Sequence, residues 1–177
     1  MARARNPQPA LKAQDLYLVL ALAARGPTPS SYPELAAFTG LSMSEVHGAL
    51  KRAHQAQLLY FDDRRPTLIA PALREFLLHG ARYAFPAARG SMVAGMPTAH
   101  AAPPLVEHIV SGGEPPPVWP YADGTVRGIA LYPLYPSVPA AAQRNQALYE
   151  YLALFDALRS GNARERALAR DLLDARL

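Results

Sequence analysis

The sequence predicts a mainly α-helical protein with one small β-hairpin, and three observations support that fold class. Apolar residues recur at helical spacing over residues 11–24 and 140–177. Two short apolar runs, residues 58–61 and 67–70, flank a charged turn, which predicts a hairpin. Polar residues that cap helices stand three places before a glutamate, the spacing of a capping box. These pairs are Ser31 with Glu34, Ser42 with Glu45, and Asn162 with Glu165.

Composition divides the 177 residues into three parts. Residues 1–82 contain few prolines, and their sequence predicts helices and the hairpin. Residues 83–139 hold eleven of the eighteen prolines and six of the eleven glycines, yet they are too apolar for a solvated tether. We expect irregular but ordered chain there, packed on the helices. Residues 140–177 return to strong helix formers and predict a helical hairpin, with one helix from about Ala140 to Arg159.

The chain contains no cysteine, which excludes disulfides, thiolate metal sites and a cysteine nucleophile. Its start, with a basic stretch and an apolar run over residues 16–24, is similar to a secretory signal peptide. Asp15 abuts that run, however, and the run is about half the length that spans a bilayer. We therefore predict a buried first helix and a cytoplasmic protein. The apolar stripe of this helix would be Leu16, Val19, Leu20 and Ala23.

The helices that follow have the spacing of a helix-turn-helix. A short helix from Tyr32 to Phe38 is broken by Gly40, and a second helix runs from Met43 to about Gln57. The hairpin comes next, and Pro71 then stands at the start of another helix. This order of elements is that of a winged helix: three helices, a two-stranded wing and a further helix. It predicts a DNA-binding domain over residues 1–82.

The helix from Met43 has two chemically different faces. Val46, Leu50 and Ala53 share the face that packs inward, whereas Ser44, His47 and Lys51 share a polar face. Such a polar face can read the major groove of double-stranded DNA, and arginines on the wing can reach the backbone or minor groove. Gly48 would allow a close approach of the DNA. The predicted DNA contacts are Ser42, Ser44, His47, Lys51, Arg52, Arg64 and Arg65.

Residues 31–59 resemble the winged helix-turn-helix of bacterial MarR- and IclR-type transcriptional regulators, and the resemblance extends over residues 11–82. The shared features lie in "ELA", "TGLS" and "LKR", at residues 34–36, 39–42 and 50–52. The sequence departs from the pattern at Met43, where these regulators often carry a polar residue. It departs again at Ala56-Gln57, where a glycine commonly turns the helix into the strand. The resemblance implies a DNA-binding regulator and covers under half of the chain.

The distribution of charge and the last helix indicate which partners the protein binds. Residues 1–82 hold ten Lys or Arg against six Asp or Glu, a net +4, whereas residues 83–177 hold eight of each. A positive first half suits an anionic partner. The arginine-rich last helix could form a homodimer, and the layout weakly resembles antitoxin-type regulators that bind a protein encoded by a neighbouring gene. A protein-interaction module that no longer binds DNA is the alternative.

No residue pattern predicts an enzyme, a metal site or a cofactor. Glu107 and His108 are neighbours and would not face the same way on a helix, so with His100 they make a poor metal site. Ser91, His100 and Asp123 are the residue types of a catalytic triad, but no nucleophile elbow accompanies them. Core packing is the expected role of Trp119.

Overall fold

The structure, a computed structural model, describes residues 10–109 and 112–177. Its first half contains three helices, an antiparallel hairpin and two further helices, which is the predicted order except that two helices stand where one was predicted after the hairpin. These elements are α1 (Ala13–Arg25), α2 (Tyr32–Thr39), α3 (Met43–Gln55), β1 (Leu59–Asp62), β2 (Arg65–Leu68), α4 (Ala70–His79) and the one-turn α5 (Ala81–Ala84). The basic stretch of the signal-like start, residues 1–9, lies outside the described residues.

Helix α1 is buried on all sides and not along a single stripe. Every residue from Asp15 to Leu22 is buried, because α1 packs between α3 and α7. A helix that is enclosed in this way is apolar all round, so the predicted stripe was too narrow. Over the described residues, each helix is too short or too polar to cross a bilayer.

The three predicted capping boxes are confirmed. Ser31 and Ser42 accept hydrogen bonds from the backbone N–H groups of Glu34 and Glu45, and Asn162 does the same for Glu165. Gly40 ends α2 with φ of 72°, a left-handed conformation that glycine adopts without steric cost. These local signals fix where α2, α3 and α8 begin and where α2 ends.

The hairpin has a shorter turn than predicted. Phe61 pairs with Pro66 and Asp62 pairs with Arg65, which leaves only Asp63 and Arg64 between the strands. Both turn residues have positive φ, as a two-residue type I′ turn requires. The predicted strand bounds of 58–61 and 67–70 were therefore wrong, because the charged residues continue the ladder.

Gln57 takes the place of the glycine that the regulators commonly carry at the end of α3. It adopts φ of 59°, the conformation that a glycine would take there. Its backbone N–H donates to the carbonyl of His54, and the next N–H, that of Leu58, donates to Ala53. The chain therefore makes the expected turn into β1 with a residue that has a side chain.

The proline-rich middle was predicted to be irregular, but it contains a small sheet. Its strands are β3 (Arg89–Pro97), β4 (Pro117–Pro120) and β5 (Val126–Leu131). Strand β3 is antiparallel to the other two, which pair with each other in parallel, so the three strands close on themselves. Two 3-10 turns, Ala99–Ala101 and Leu105–Glu107, lie between β3 and β4. The sequence of residues 103–110 also predicts a helix of two turns that begins near Pro104. The second 3-10 turn stands in its place, and Val110 lies outside the described residues.

Glycines make this tight sheet possible. A Cβ atom on Gly95 would lie 2.1 Å from the carbonyl oxygen of Trp119, and one on Gly128 would lie 2.0 Å from that of Pro116. Both distances are far below van der Waals contact. The glycines that weaken a strand prediction are thus the residues that let three short strands approach closely enough to close.

The C-terminal part contains three helices, where two were predicted. They are α6 (Val138–Arg144), α7 (Gln146–Ser160) and α8 (Ala163–Asp174). The predicted helix from Ala140 to Arg159 is divided at Asn145, whose side-chain oxygen accepts a hydrogen bond from the Leu148 N–H (2.8 Å) and caps α7. Helices α7 and α8 then form the expected antiparallel hairpin.

One hydrophobic core joins the three parts that composition distinguishes. It extends from Leu16 in α1 through Leu105 and Trp119 in the middle to Leu173 in α8. Trp119 is 1% exposed, which confirms its expected role in core packing. Because α7 contacts α1 and α4 contacts α8, the helices of the first and last parts pack directly on each other.

The buried phenol of Tyr17 predicts a loss of stability in alkali. Its O–H donates to the Thr39 carbonyl (2.7 Å), and burial raises its pKa from 10.0 to about 12. A group with a raised folded-state pKa stabilises the fold fully below the unfolded pKa. We expect the free energy of unfolding to fall as the pH rises from 10.0 towards about 12, and to fall less steeply in Tyr17→Phe. Urea titrations across this range measure both slopes, and equal slopes would contradict the assignment.

Candidate nucleic-acid interface

Helix α3 has one buried and one exposed face, and the predicted reading residues lie on the exposed one. Val46, Leu50 and Ala53 are fully buried. Ser44, His47 and Lys51 are exposed, on successive turns of the opposite face. The packing of the first face fixes the helix, so the second face is presented on a rigid element.

The first turn of α3 is closed by a reciprocal cap. The Ser42 hydroxyl oxygen accepts from the Glu45 N–H (3.2 Å), and the Glu45 carboxylate accepts from the Ser42 N–H (2.8 Å). Ser42 is exposed, as is Ser44. Two exposed serines, Ser42 and Ser44, therefore stand at the positive end of the helix dipole, where an anion is favoured.

Tyr32 is a residue of this surface that sequence reasoning missed. Its ring lies 6.0 Å from the imidazole of His47, with an angle of 50° between the planes. Tyr32 is the first residue of α2, so the contact joins the start of α2 to the exposed face of α3. Because the two residues are fifteen positions apart, only the packing of the two helices brings them together.

Arg52 does not belong to the exposed set. Its Nε and Nη2 atoms lie 2.7 and 2.6 Å from the two carboxylate oxygens of Asp15, which is fully buried. This bidentate pair joins α3 to α1, and Asp15 also accepts from the Lys12 N–H (2.8 Å). We therefore exclude Arg52 from the predicted phosphate contacts.

Gly48 has a different neighbour from the one expected. A Cβ atom at this position would lie 3.1 Å from Nη1 of Arg52. The missing side chain thus leaves room for the guanidinium on its path to Asp15. The prediction that Gly48 lets DNA approach has no support from this geometry, since the open side of the residue faces Arg52.

The wing presents both predicted arginines together with two aspartates. Arg64 lies in the two-residue turn, Arg65 begins β2, and both are exposed, as are Asp62 and Asp63. The wing tip is therefore balanced in charge. Arg65 also lines a cavity of about 650 Å³ between the end of α1, β2 and Tyr151 of α7.

The electrostatics of Glu34 connect the wing with the start of α2. Hydrogen bonds from the Ser31 backbone and hydroxyl are the main causes that lower the Glu34 pKa, and the positive charges of Arg25 and Arg65 lower it further. The contribution of Arg65 is the smallest of these causes. The contact between Tyr32 and His47 joins the start of α2 to the exposed face of α3.

The C-terminal half contributes two contacts to this region that the sequence did not reveal. The Tyr135 hydroxyl donates to the carboxylate of Glu45, and the Ser137 hydroxyl donates to the carbonyl of Thr39 (2.6 Å). The bond from Tyr135 is the main cause that lowers the Glu45 pKa. Both contacts join residues about ninety or more positions apart.

The other residues considered from the sequence form no comparable site. His100 faces Glu165, with 3.5 Å between Nδ1 and Oε1. Across the two described ranges, no three His, Asp or Glu side chains come close enough together to hold a metal ion.

Comparison of the chain with protein-family models, with curated proteins and with solved structures finds no match.

Proposed function

We propose that the protein is a DNA-binding transcriptional regulator, a repressor or an antitoxin-type regulator, with a winged helix-turn-helix in its first half. The observation that carries the proposal is the division of α3 into a buried face and an exposed face with Ser44, His47 and Lys51. Helix α3 would enter the major groove. The wing that follows it would place Arg64 and Arg65 near the backbone or the minor groove.

A cytoplasmic homodimer fits this proposal. Two copies related by a two-fold axis would present two α3 helices to half-sites about 34 Å apart. Helix α8 carries exposed Arg164, Arg170 and Asp171 on the side away from Ala169 and Leu173, which are buried. That charged face would form the predicted dimer contact or bind a protein encoded by a neighbouring gene.

The charges predict how strongly salt weakens binding. Three exposed cations, Lys51, Arg64 and Arg65, would face the DNA, so each protomer would neutralise about three phosphates. The logarithm of the affinity should then fall against the logarithm of the salt concentration with a slope of about −2.7 per protomer.

Two substitutions on α3 test the reading helix, with duplex DNA from the region upstream of the gene and fluorescence anisotropy at several salt concentrations. Lys51→Ala should weaken binding to all sequences and make the slope shallower by about 1, because it removes a phosphate contact. His47→Ala should leave the slope unchanged and reduce the preference for the upstream DNA over unrelated DNA. Arg127→Ala, on β5, is the matched charge control, because Arg127 is exposed and lies outside α3, the wing and α8. It should change neither quantity.

The DNA proposal fails if the wild-type protein binds no duplex at low salt, or binds with a slope near zero. Unchanged binding by both α3 variants would place the reading surface elsewhere.

A protein-interaction module is the second candidate function, and the composition of the wing favours it. Asp62 and Asp63 balance the two arginines, while Tyr60 is 47% exposed and Phe61 37% exposed on β1. Exposed aromatic side chains are enriched where proteins bind each other. If this candidate is right, Tyr60→Ser should abolish co-purification of the protein encoded by the neighbouring gene, whereas Lys51→Ala should not.

A further inference from the structure

The turn between α2 and α3 is held from the C-terminal half of the chain by residues 134–137, which we call the strap. Ser137 of the strap donates to the Thr39 carbonyl (2.6 Å), the same oxygen that accepts from Tyr17 of α1 (2.7 Å). The strap also lies against Gly40, where a Cβ atom would come within 3.1 Å of the Ser137 Cβ. The carbonyl of Thr39 in this turn is therefore held from both α1 and the strap.

A second strap residue, Tyr135, acts on the first turn of α3. Its ring stacks on that of Tyr17 at 6.4 Å with an angle of 14°. Its hydroxyl donates to Oε1 of Glu45, while Oε2 of the same carboxylate accepts the Ser42 N–H (2.8 Å). One carboxylate thus connects the strap directly to the cap of α3.

We propose that Tyr135 and Ser137 are positioning residues of α3, so that the exposed face of this helix is set by contacts from both halves of the chain. The part of this inference that concerns DNA affinity rests on the proposed function. The part that concerns the order of α3 does not, because the contacts exist whatever the helix binds.

The chemistry of the contact suits a positioning role. A phenol that donates to a carboxylate makes a charge-assisted hydrogen bond, which is roughly twice as strong as a neutral one. The same bond is the main cause that raises the pKa of Tyr135 and lowers that of Glu45. Both shifts favour a protonated phenol and an ionised carboxylate, the forms that make this bond.

A matched pair of variants separates positioning from general stability. Tyr135→Phe removes the hydroxyl that reaches α3, whereas Tyr149→Phe removes one that donates to the Pro97 carbonyl (2.7 Å), in the C-terminal half. Hydrogen exchange measured by mass spectrometry follows the amides of residues 40–47. We expect faster exchange there in Tyr135→Phe, relative to the rest of the chain, and wild-type exchange there in Tyr149→Phe.

DNA affinity gives the second readout. If the strap sets the position of α3, Tyr135→Phe lowers the fraction of molecules with α3 in the binding position and weakens affinity by roughly two- to fivefold. The salt slope should stay at its wild-type value, since no phosphate contact is lost. Adding Ser137→Ala should weaken affinity further and extend the faster exchange to Thr39, whose carbonyl loses the hydrogen bond from Ser137.

The outcomes are distinct. Unchanged exchange at residues 40–47 in Tyr135→Phe, or an equal increase throughout the chain in both variants, overturns the positioning role. Faster exchange there with unchanged DNA affinity overturns the link to DNA binding. A wild-type protein that binds no DNA overturns the proposed function, while the exchange measurement still decides whether the strap positions α3.

Discussion

Replacing Asp156 with alanine is expected to lower the free energy of unfolding by about 3–5 kcal/mol. Asp156 lies in α7, is 2% exposed and accepts three side-chain hydrogen bonds. The donors are the Thr98 hydroxyl (2.7 Å), the Trp119 indole N–H (2.6 Å) and Nε of Arg159 (2.8 Å). Two of them belong to the proline-rich middle, so one carboxylate joins that part to the C-terminal helices.

The effect is large because the donors cannot turn to solvent. Trp119 is 1% exposed and Thr98 is fully buried. Each neutral donor left without an acceptor costs about 1–3 kcal/mol, and the guanidinium of Arg159, itself almost fully buried, loses its counter-charge. Asp156→Asn keeps one acceptor oxygen but adds an N–H₂ group among donors, so we expect an intermediate loss of about 2 kcal/mol.

Urea denaturation followed by the fluorescence of Trp119, the one tryptophan of the sequence, measures these losses. Asp174→Ala is the matched control, because it removes a carboxylate that pairs with Arg74 at the surface (2.8 Å). Exposed pairs of this kind contribute less than about 1 kcal/mol. An Asp156→Ala loss no larger than that of the control would show that the buried network does not stabilise the fold.

The elements that were predicted correctly are those with local signals. The pairs Ser31/Glu34 and Ser42/Glu45 lie within one helical turn, and the periodicity of α3 separates Val46 from His47 within the same helix. Capping and helical phase need no knowledge of the rest of the fold, and neither does the approximate position of the hairpin.

The contacts that were missed join distant parts of the chain. Tyr135 meets Glu45 across 90 positions, and Ser137 meets Thr39 across 98. Asp156 looked like an ordinary polar residue on an amphipathic helix, because neither Thr98 nor Trp119 is near it in sequence. The number of pairings that a chain allows at such separations is too large for spacing to select one.

The closed sheet was missed for a different physical reason. Glycine and proline are unfavourable in strands. Glycine loses more conformational entropy and has no side chain to pack, whereas proline has no backbone N–H to donate to the neighbouring strand. In β3 and β5, Gly95 and Gly128 are required by the close approach of neighbouring backbone. The glycines destabilise each strand taken alone, but the pairing of all three strands in the closed sheet offsets that loss. The sequence of a single strand does not reveal this pairing.

Asp15 was the one long-range feature with a visible signal. A carboxylate beside an apolar helical run needs a partner if the run is buried, because an unpaired buried charge is strongly unfavourable. The sequence therefore implied a cation nearby. It did not single out Arg52 from the other nine basic residues of the first half.

Arg52→Met is accordingly expected to lower the free energy of unfolding by about 3–5 kcal/mol, because it leaves a fully buried carboxylate without its cation. The exposed neighbour Lys51 is the matched control, and Lys51→Met should change stability by less than about 0.5 kcal/mol. Thermal or urea unfolding of both variants gives the comparison.

The double variant Asp15→Leu/Arg52→Met tests the cause of this loss. If the unpaired carboxylate is responsible, the apolar residue at position 15 should recover most of the stability. Replacing a whole buried pair with apolar side chains is often neutral or stabilising. A phosphate contact would behave differently, because Arg52→Met would then reduce the salt slope of DNA binding by about 1 and leave unfolding unchanged. That result would return Arg52 to the interface, and it would mean that the contact between α1 and α3 depends on apolar packing alone.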